Sequence, residues 1–177
     1  MIASLKRAIS RILFPDLTAL HWRCYRKALT AKGLRGSILR TRVRRLQRKF
    51  CADVPIKKDI TPFTTPHGLS GIFISKGAVI GEGCTLFQQV TIGSNTLQGS
   101  ARYGAPILGR NVYIGAGAKI IGRVTVGDNV ILSAGCVLDR ECVIEKDSHV
   151  GCACTVTRGS RVPAKMRIPA GSVYENK

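Results

Sequence analysis

Aliphatic side chains fall on every sixth position through the second half of the chain: Leu108, Ile114, Ile120, Val126, Leu132, Leu138, Ile144, Val150, Val156 and Val162. A helix face needs spacings of three and four, and a half-buried strand alternates, so a run of sixes fits neither. Four residues after each aliphatic stands a second, compact slot, filled by Val112, Ala118, Val124, Val130, Cys136, Cys142, Ser148 and Cys154. Glycine often follows the aliphatic directly, as at Gly109, Gly115, Gly127 and Gly151. The same register holds upstream at Ile74, Ile80, Leu86 and Ile92. Self-similarity at this period predicts a parallel β-helix of hexapeptides, each burying its aliphatic only by stacking on the next.

The pattern divides the chain into three parts. Residues 1–52 read as a basic helical cap or arm with helices over 2–14, 17–31 and 37–50. Asp16 is placed to cap the second helix, and Gly33 and Gly36 mark a turn. The β-helix spans 53–162. Val54, Ile60, Pro66 and Ile72 keep the spacing of six, then the register slips by two to Ile74, just after His67. Residues 96–106 interrupt the repeat with Gly99, Ser100, Gly104 and Pro106, which predicts a loop thrown out of the coil. Residues 163–177, with Pro163, Pro169 and Gly171, read as an irregular tail.

Three segments carry a resemblance: His67-Gly68-Leu69-Ser70-Gly71-Ile72, Gln89-Val90-Thr91-Ile92-Gly93-Ser94 and Ile114-Gly115-Ala116-Gly117-Ala118-Lys119-Ile120-Ile121-Gly122. With these the chain resembles the hexapeptide-repeat acyltransferases, and among them the serine acetyltransferase-like group. The resemblance implies a mainly β fold, a left-handed parallel β-helix of about five coils. It also implies acetyl-CoA as co-substrate and a homotrimer with its sites between subunits.

Composition narrows the setting. No run of 177 residues approaches the roughly 18 to 20 apolar residues of a membrane span, and no signal-peptide core is evident. The expectation is a cytoplasmic protein, with peripheral contact to the inner face of the membrane left open. Residues 1–52 hold 14 basic residues against the single acid Asp16, a net of +13 in a chain of net +18. Such an arm can cap the β-helix, lie on an anionic lipid surface, or attract an acidic glycan. Nucleic acid is not expected, because no binding motif accompanies the charge. The seven cysteines lack metal-ligand spacing, and Cys84, Cys136, Cys142 and Cys154 fill the small inward slot as compact hydrophobes. No metal site is expected.

Of three histidines, His21 lies in the cap and His149 in an exposed turn slot of the repeat, whereas His67 opens a glycine-flanked turn at the register slip. A neutral imidazole there suits general-base removal of a proton from an attacking alcohol. In the group it resembles, this position is the catalytic base. An aspartate at the start of the previous coil orients that base; Asp53 matches the motif, with Asp59 as the alternative. The acetyl-CoA arm in this group runs along small wall residues, which here are Gly93, Ser94, Gly115, Ala116 and Ala134. Those same residues also suit a hexapeptide repeat with no ligand. Two departures bear on the acceptor. Serine-using members carry an aspartate before the catalytic histidine and an Arg-His-Pro run in the loop. This chain has Pro66 and Gly104-Ala105-Pro106, with Arg102 two positions off. The reading is therefore O-acetyl transfer to a sugar hydroxyl of a surface polysaccharide or its precursor. Serine O-acetyl transfer and a non-catalytic scaffold are the alternatives.

Overall fold

The computed structural model describes residues 16–96 and 104–176. The helix anticipated at 2–14 and Arg102 lie outside them. Two helices come first, α1 (Leu17–Thr30) and α2 (Gly33–Lys49). Asp16 caps α1 by accepting from the Ala19 N–H at 2.9 Å. Helix α2 starts earlier than its apolar pattern implies. Gly36 is inside it, against the α1–α2 link, where a Cβ would fall 2.4 Å from the Ala31 carbonyl oxygen.

Every strand is two or three residues long, and all strand pairs are parallel. They stack as three faces of a triangular solenoid. The first face holds β1 (Phe73–Ile74), β4 (Thr91–Gly93), β7 (Lys119–Ile121), β10 (Val137–Leu138), β13 (Thr155–Val156) and β16 (Val173–Tyr174). The second holds β2 (Val79–Ile80), β5 (Ile107–Leu108), β8 (Thr125–Val126), β11 (Val143–Ile144) and β14 (Arg161–Val162). The third holds β3 (Thr85–Leu86), β6 (Tyr113–Ile114), β9 (Ile131–Leu132), β12 (His149–Val150) and β15 (Arg167–Ile168). This is the β-helix that the spacing of six predicts, about five coils tall, and it fits the left-handed form that the resemblance implies.

Register explains the spacing. Phe73 pairs with Thr91 and Val137 with Thr155, each eighteen residues on, so three hexapeptides close one coil. The ten aliphatics from Leu108 to Val162 are all buried, and so is each member of the compact slot, Ser148 included. Between β2 and β5 the step grows to 28, Val79 to Ile107, which places the inserted residues after β4. Asn95 and Gly104 bridge the neck of that insertion.

Two expectations are corrected. The residues before β1 make a partial coil with longer steps, Asp53 to Phe73, Ile60 to Ile80 and Thr64 to Thr85. Pro66 does not fill its inward slot. It is exposed in a turn, and Phe63 and Leu69 are buried instead. The tail also differs: β15 and β16 continue the solenoid through Tyr174, because Pro163, Pro169 and Gly171 fall in the corners between strands, where no ladder hydrogen bond is lost.

The helices close the top of the solenoid. Trp22 meets Phe63 edge to face at 4.8 Å. The Tyr25 hydroxyl, in a fully buried side chain, lies 3.0 to 3.1 Å from the carbonyl oxygens of Pro55, Lys57 and Ile60, tying the partial coil to α1. His21 is neither solvated nor free. It is buried and accepts from the Gln47 amide, which also donates to Val54 O at 2.8 Å. Burial lowers its pKa to about 4.

Candidate active site

His67 stands in the turn that carries the chain from the third face to the first. That turn is built for a tight path: Gly68 and Gly71 have φ of +71° and +66°, and Gly71 donates to Phe50 O at 2.9 Å. The cap lies over it: a Cβ added at Gly68 would meet Phe50 at 3.3 Å and Thr18 Oγ1 at 3.4 Å. The imidazole is exposed and rests against Phe87 at 5.5 Å between centroids, and Phe87 in turn meets Tyr113 at 5.2 Å. Sequence reasoning missed this aromatic ladder, because its members are 20 and 26 residues apart across an irregular coil. Nearby, Thr65 Oγ1 and Gln88 Oε1 are buried with no hydrogen-bond partner among the described residues. Buried polar atoms of this kind are completed by water or a ligand.

Below His67 the same corner repeats coil by coil. Gly117 donates to Gln88 O, Gly135 to Ala116 O and Ala153 to Ala134 O, at 2.8 to 3.0 Å. Gly115, Ala116 and Ala134 therefore lie on one edge beneath His67. Gly93 and Ser94 do not. Gly93 ends β4 on the first face and Ser94 follows it, at the corner leading to the second, beside the insertion. Ser94 lines a cleft of about 570 Å³ with Asn95, Thr96, Ile121, Asp139 and Arg140. The five wall residues are thus split between two edges of one chain.

Gly115 also has a purely local reason to be glycine. A Cβ there would lie 2.5 Å from the Ala134 backbone nitrogen, and Gly127 and Gly151 meet the next coil in the same way. At Gly93 the nearest obstacle is only the Ile121 Cδ1, 3.1 Å away.

Neither aspartate touches His67. Asp53 sits on the first-face side, its N–H bonded to Ile72 O at 2.9 Å, and its carboxylate opens onto a cleft beside α2. Asp59 pairs with Lys57 at 2.9 Å. Ala105 and Pro106 belong to the corner after β4; Pro106 O receives the Val79 N–H, so this run is part of the wall and brings no charged group. His149 lies on β12 and not in a turn, with Nε2 2.9 Å from Ser133 Oγ. Among the described residues no group of three or more His, Cys, Asp or Glu could hold a metal.

Comparison with known proteins agrees with this architecture. The family profile "Bacterial transferase hexapeptide (six repeats)" matches residues 105–140. The serine acetyltransferase of Helicobacter pylori is 32% identical over 130 residues, covering 72% of each chain. This chain belongs to the hexapeptide-repeat transferases, in the serine acetyltransferase-like group. Within that group, the serine acetyltransferase of Synechococcus elongatus is 40% identical over 75 residues, covering 42% of this chain and 30% of the relative. The chain spans about a third of the length of that relative and of the similar one from Buchnera aphidicola, which is 43% identical over 97 residues and 36% covered. Two solved structures share the fold. A serine acetyltransferase from Vibrio cholerae has a TM-score of 0.56 at 24% identity, covering 87% of this chain and 52% of its own. A serine acetyltransferase in complex with cysteine has 0.58 at 22%, covering 89% and 57%.

Proposed function

We propose that this hexapeptide transferase moves an acetyl group from acetyl-CoA to an acceptor hydroxyl, with His67 as general base. The observation that carries the reading is His67 itself. It is an exposed imidazole in a braced glycine turn, at the head of an edge of small residues, in a chain whose relatives are named serine acetyltransferases. The imidazole takes the proton as the acceptor oxygen attacks the thioester carbonyl. The tetrahedral adduct then collapses with cleavage of the carbon–sulfur bond, and the proton passes to the departing thiolate.

For the acceptor, the relatives support L-serine better than the sugar hydroxyl anticipated from the sequence. The sugar reading keeps one observation of its own. Pro66 and Gly104–Pro106 supply no charged partner for either end of an amino acid, and an unpaired buried charge costs several kcal/mol. Coenzyme A release with L-serine beside neutral and acidic oligosaccharides decides between them; turnover of L-serine alone rejects the sugar. His67→Ala is expected to lose at least about 10²-fold in kcat, and a variant keeping a tenth of the rate refutes the base assignment. Asp53→Asn separates two roles. An orienting partner of His67 would lower kcat and displace the pH profile of kcat/KM, whereas a residue of the cleft beside α2 would leave both unmoved.

The split wall supports a homotrimer. One extended arm cannot follow two edges of one chain, but neighbouring subunits can set one kind of edge against the other. In the described residues no helix is long and apolar enough to cross a membrane. Contact of the basic arm with anionic lipid or an acidic glycan is part of this proposal only as a role for its charge.

A further inference from the structure

A cleft of about 390 Å³ opens between α2 and the first, partial coil, and none of its lining residues belongs to the His67 turn. Arg40 and Arg44, one helical turn apart on α2, form one wall. Lys57 and Lys76, from successive coils, form the other, and Lys57 Nζ is bonded to Lys76 O at 3.1 Å. Val54, Pro55 and Ile56 make an apolar floor that Tyr25 holds in place. The one acid in the lining is Asp53.

The charges do not satisfy one another. Lys57 is neutralised from outside the cleft by Asp59. Arg40 reaches only the Ala31 carbonyl, at 3.4 Å, and neither Arg44 nor Lys76 has an ion-pair partner among the described residues. Nor does Asp53. With Lys57 paired to Asp59, Arg40, Arg44 and Lys76 remain as three cations around the one carboxylate of Asp53, in a chain already at net +18, and a bound dianion relieves their repulsion more than a monoanion does. Paired guanidinium forks match phosphate oxygens. The isolated Asp53 carboxylate needs a donor that a phosphate cannot give and a hydroxyl can. The apolar floor suits the C–H face of a small carbon skeleton.

We propose that this cleft binds a phosphorylated polyol, its phosphate between Arg44 and Lys76 and a neighbouring hydroxyl on Asp53. The site stands apart from the proposed reaction and does not require His67. A soluble sugar phosphate presents phosphate and neighbouring hydroxyls as a dianionic monoester, and a phosphatidylglycerol headgroup presents them as a monoanionic diester, so the test has two arms.

In the first arm, calorimetry on the full chain uses inorganic phosphate, glucose 6-phosphate and glucose. Glucose 6-phosphate should bind, and the doubly substituted Arg44→Gln, Lys76→Gln chain should bind it at least tenfold more weakly. Both side chains are exposed and lie outside the hydrophobic core, so the variant should melt with the native chain. Asp53→Asn should weaken glucose 6-phosphate about tenfold relative to inorganic phosphate, whose binding the lost negative charge favours. Arg23→Gln, exposed on α1 and outside the cleft, is the control for diffuse charge. Equal losses in this control and the double variant overturn the site, as does glucose binding as tightly as its phosphate. In the second arm, phosphatidylglycerol vesicles are compared with phosphatidylcholine vesicles. Displacement of glucose 6-phosphate by the former, lost in the double variant, identifies a lipid source; no displacement identifies a soluble one.

Discussion

At the scale of single residues, His21 links the cap to pH. Its imidazole is fully buried, and its pKa of about 4 lies below the ordinary 6.5 because burial penalises the charged ring. The unfolded chain takes up this proton as pH falls through 6.5, and the folded chain resists until about 4. Stability from this group is therefore complete above pH 6.5 and is lost between 6.5 and 4, by about 3 kcal/mol in all at roughly 1.4 kcal/mol per unit. Urea unfolding at pH 7 and pH 4.5 should show this loss, and His21→Gln should flatten the slope. A slope unchanged by that substitution refutes the assignment. The buried thiols are inert in the same physical sense: burial pushes Cys136 up to about 12 and Cys142 to about 11. Only Cys51 and Cys152 are exposed. The turn that holds His67 is legible from its glycines, because local backbone demands show in local sequence. The isolation of Asp53 was not legible, since it depends on how α2 lies across the partial coil.

At the scale of the element, the corners carry the strictest local demands. Gly115 and Gly117 are two residues apart, yet they are glycine for different reasons. At Gly115 a Cβ would strike the backbone of the next coil, whereas at Gly117 there is nothing within 4 Å but φ is +69°. Gly117→Ala should cost only the left-handed penalty, about 1 kcal/mol. Gly115→Ala must push two coils apart and should cost at least 2 kcal/mol, in the range of overpacked cores. Thermal unfolding of the two variants ranks them, and an equal or reversed order would show that the coils separate freely. The aliphatic hexads were readable because each strand has one inward residue and its neighbours repeat it every eighteen. The ends of the solenoid were harder. Proline and glycine read as breakers, but in this fold they occupy corners as readily as they end it, so the sequence of β15 and β16 reads as a tail. Helix α2 also reads short in the sequence, because Gly36 looks like a turn residue and is in fact a close-packing one.

For the whole molecule, the decisive arrangement is the pair of unlike edges, with His67, Ala116 and Ala134 on one and Gly93 and Ser94 on the other. Light scattering should give three times the 19.1 kDa chain mass. A sharper check mixes two inactive chains. His67→Ala disables one edge and Ser94→Trp the other. If each site joins unlike edges of neighbours, random co-assembly restores about a quarter of the sites. No recovery in a verified mixed trimer would place each site within a single chain.

The eighteen-residue step makes the solenoid an indexing device. Adding or removing eighteen residues below β7 would lengthen or shorten the tower by one storey and leave each edge facing the same way as before. A change of six would turn everything downstream by a third of a revolution, so that residues of one edge would stand on another. The inserted residues after β4 escape this arithmetic because they leave and rejoin at a single neck, between Asn95 and Gly104. Length variation in such a chain is therefore cheap in two currencies only, whole storeys and balconies, and His67 at the capped end is upstream of both.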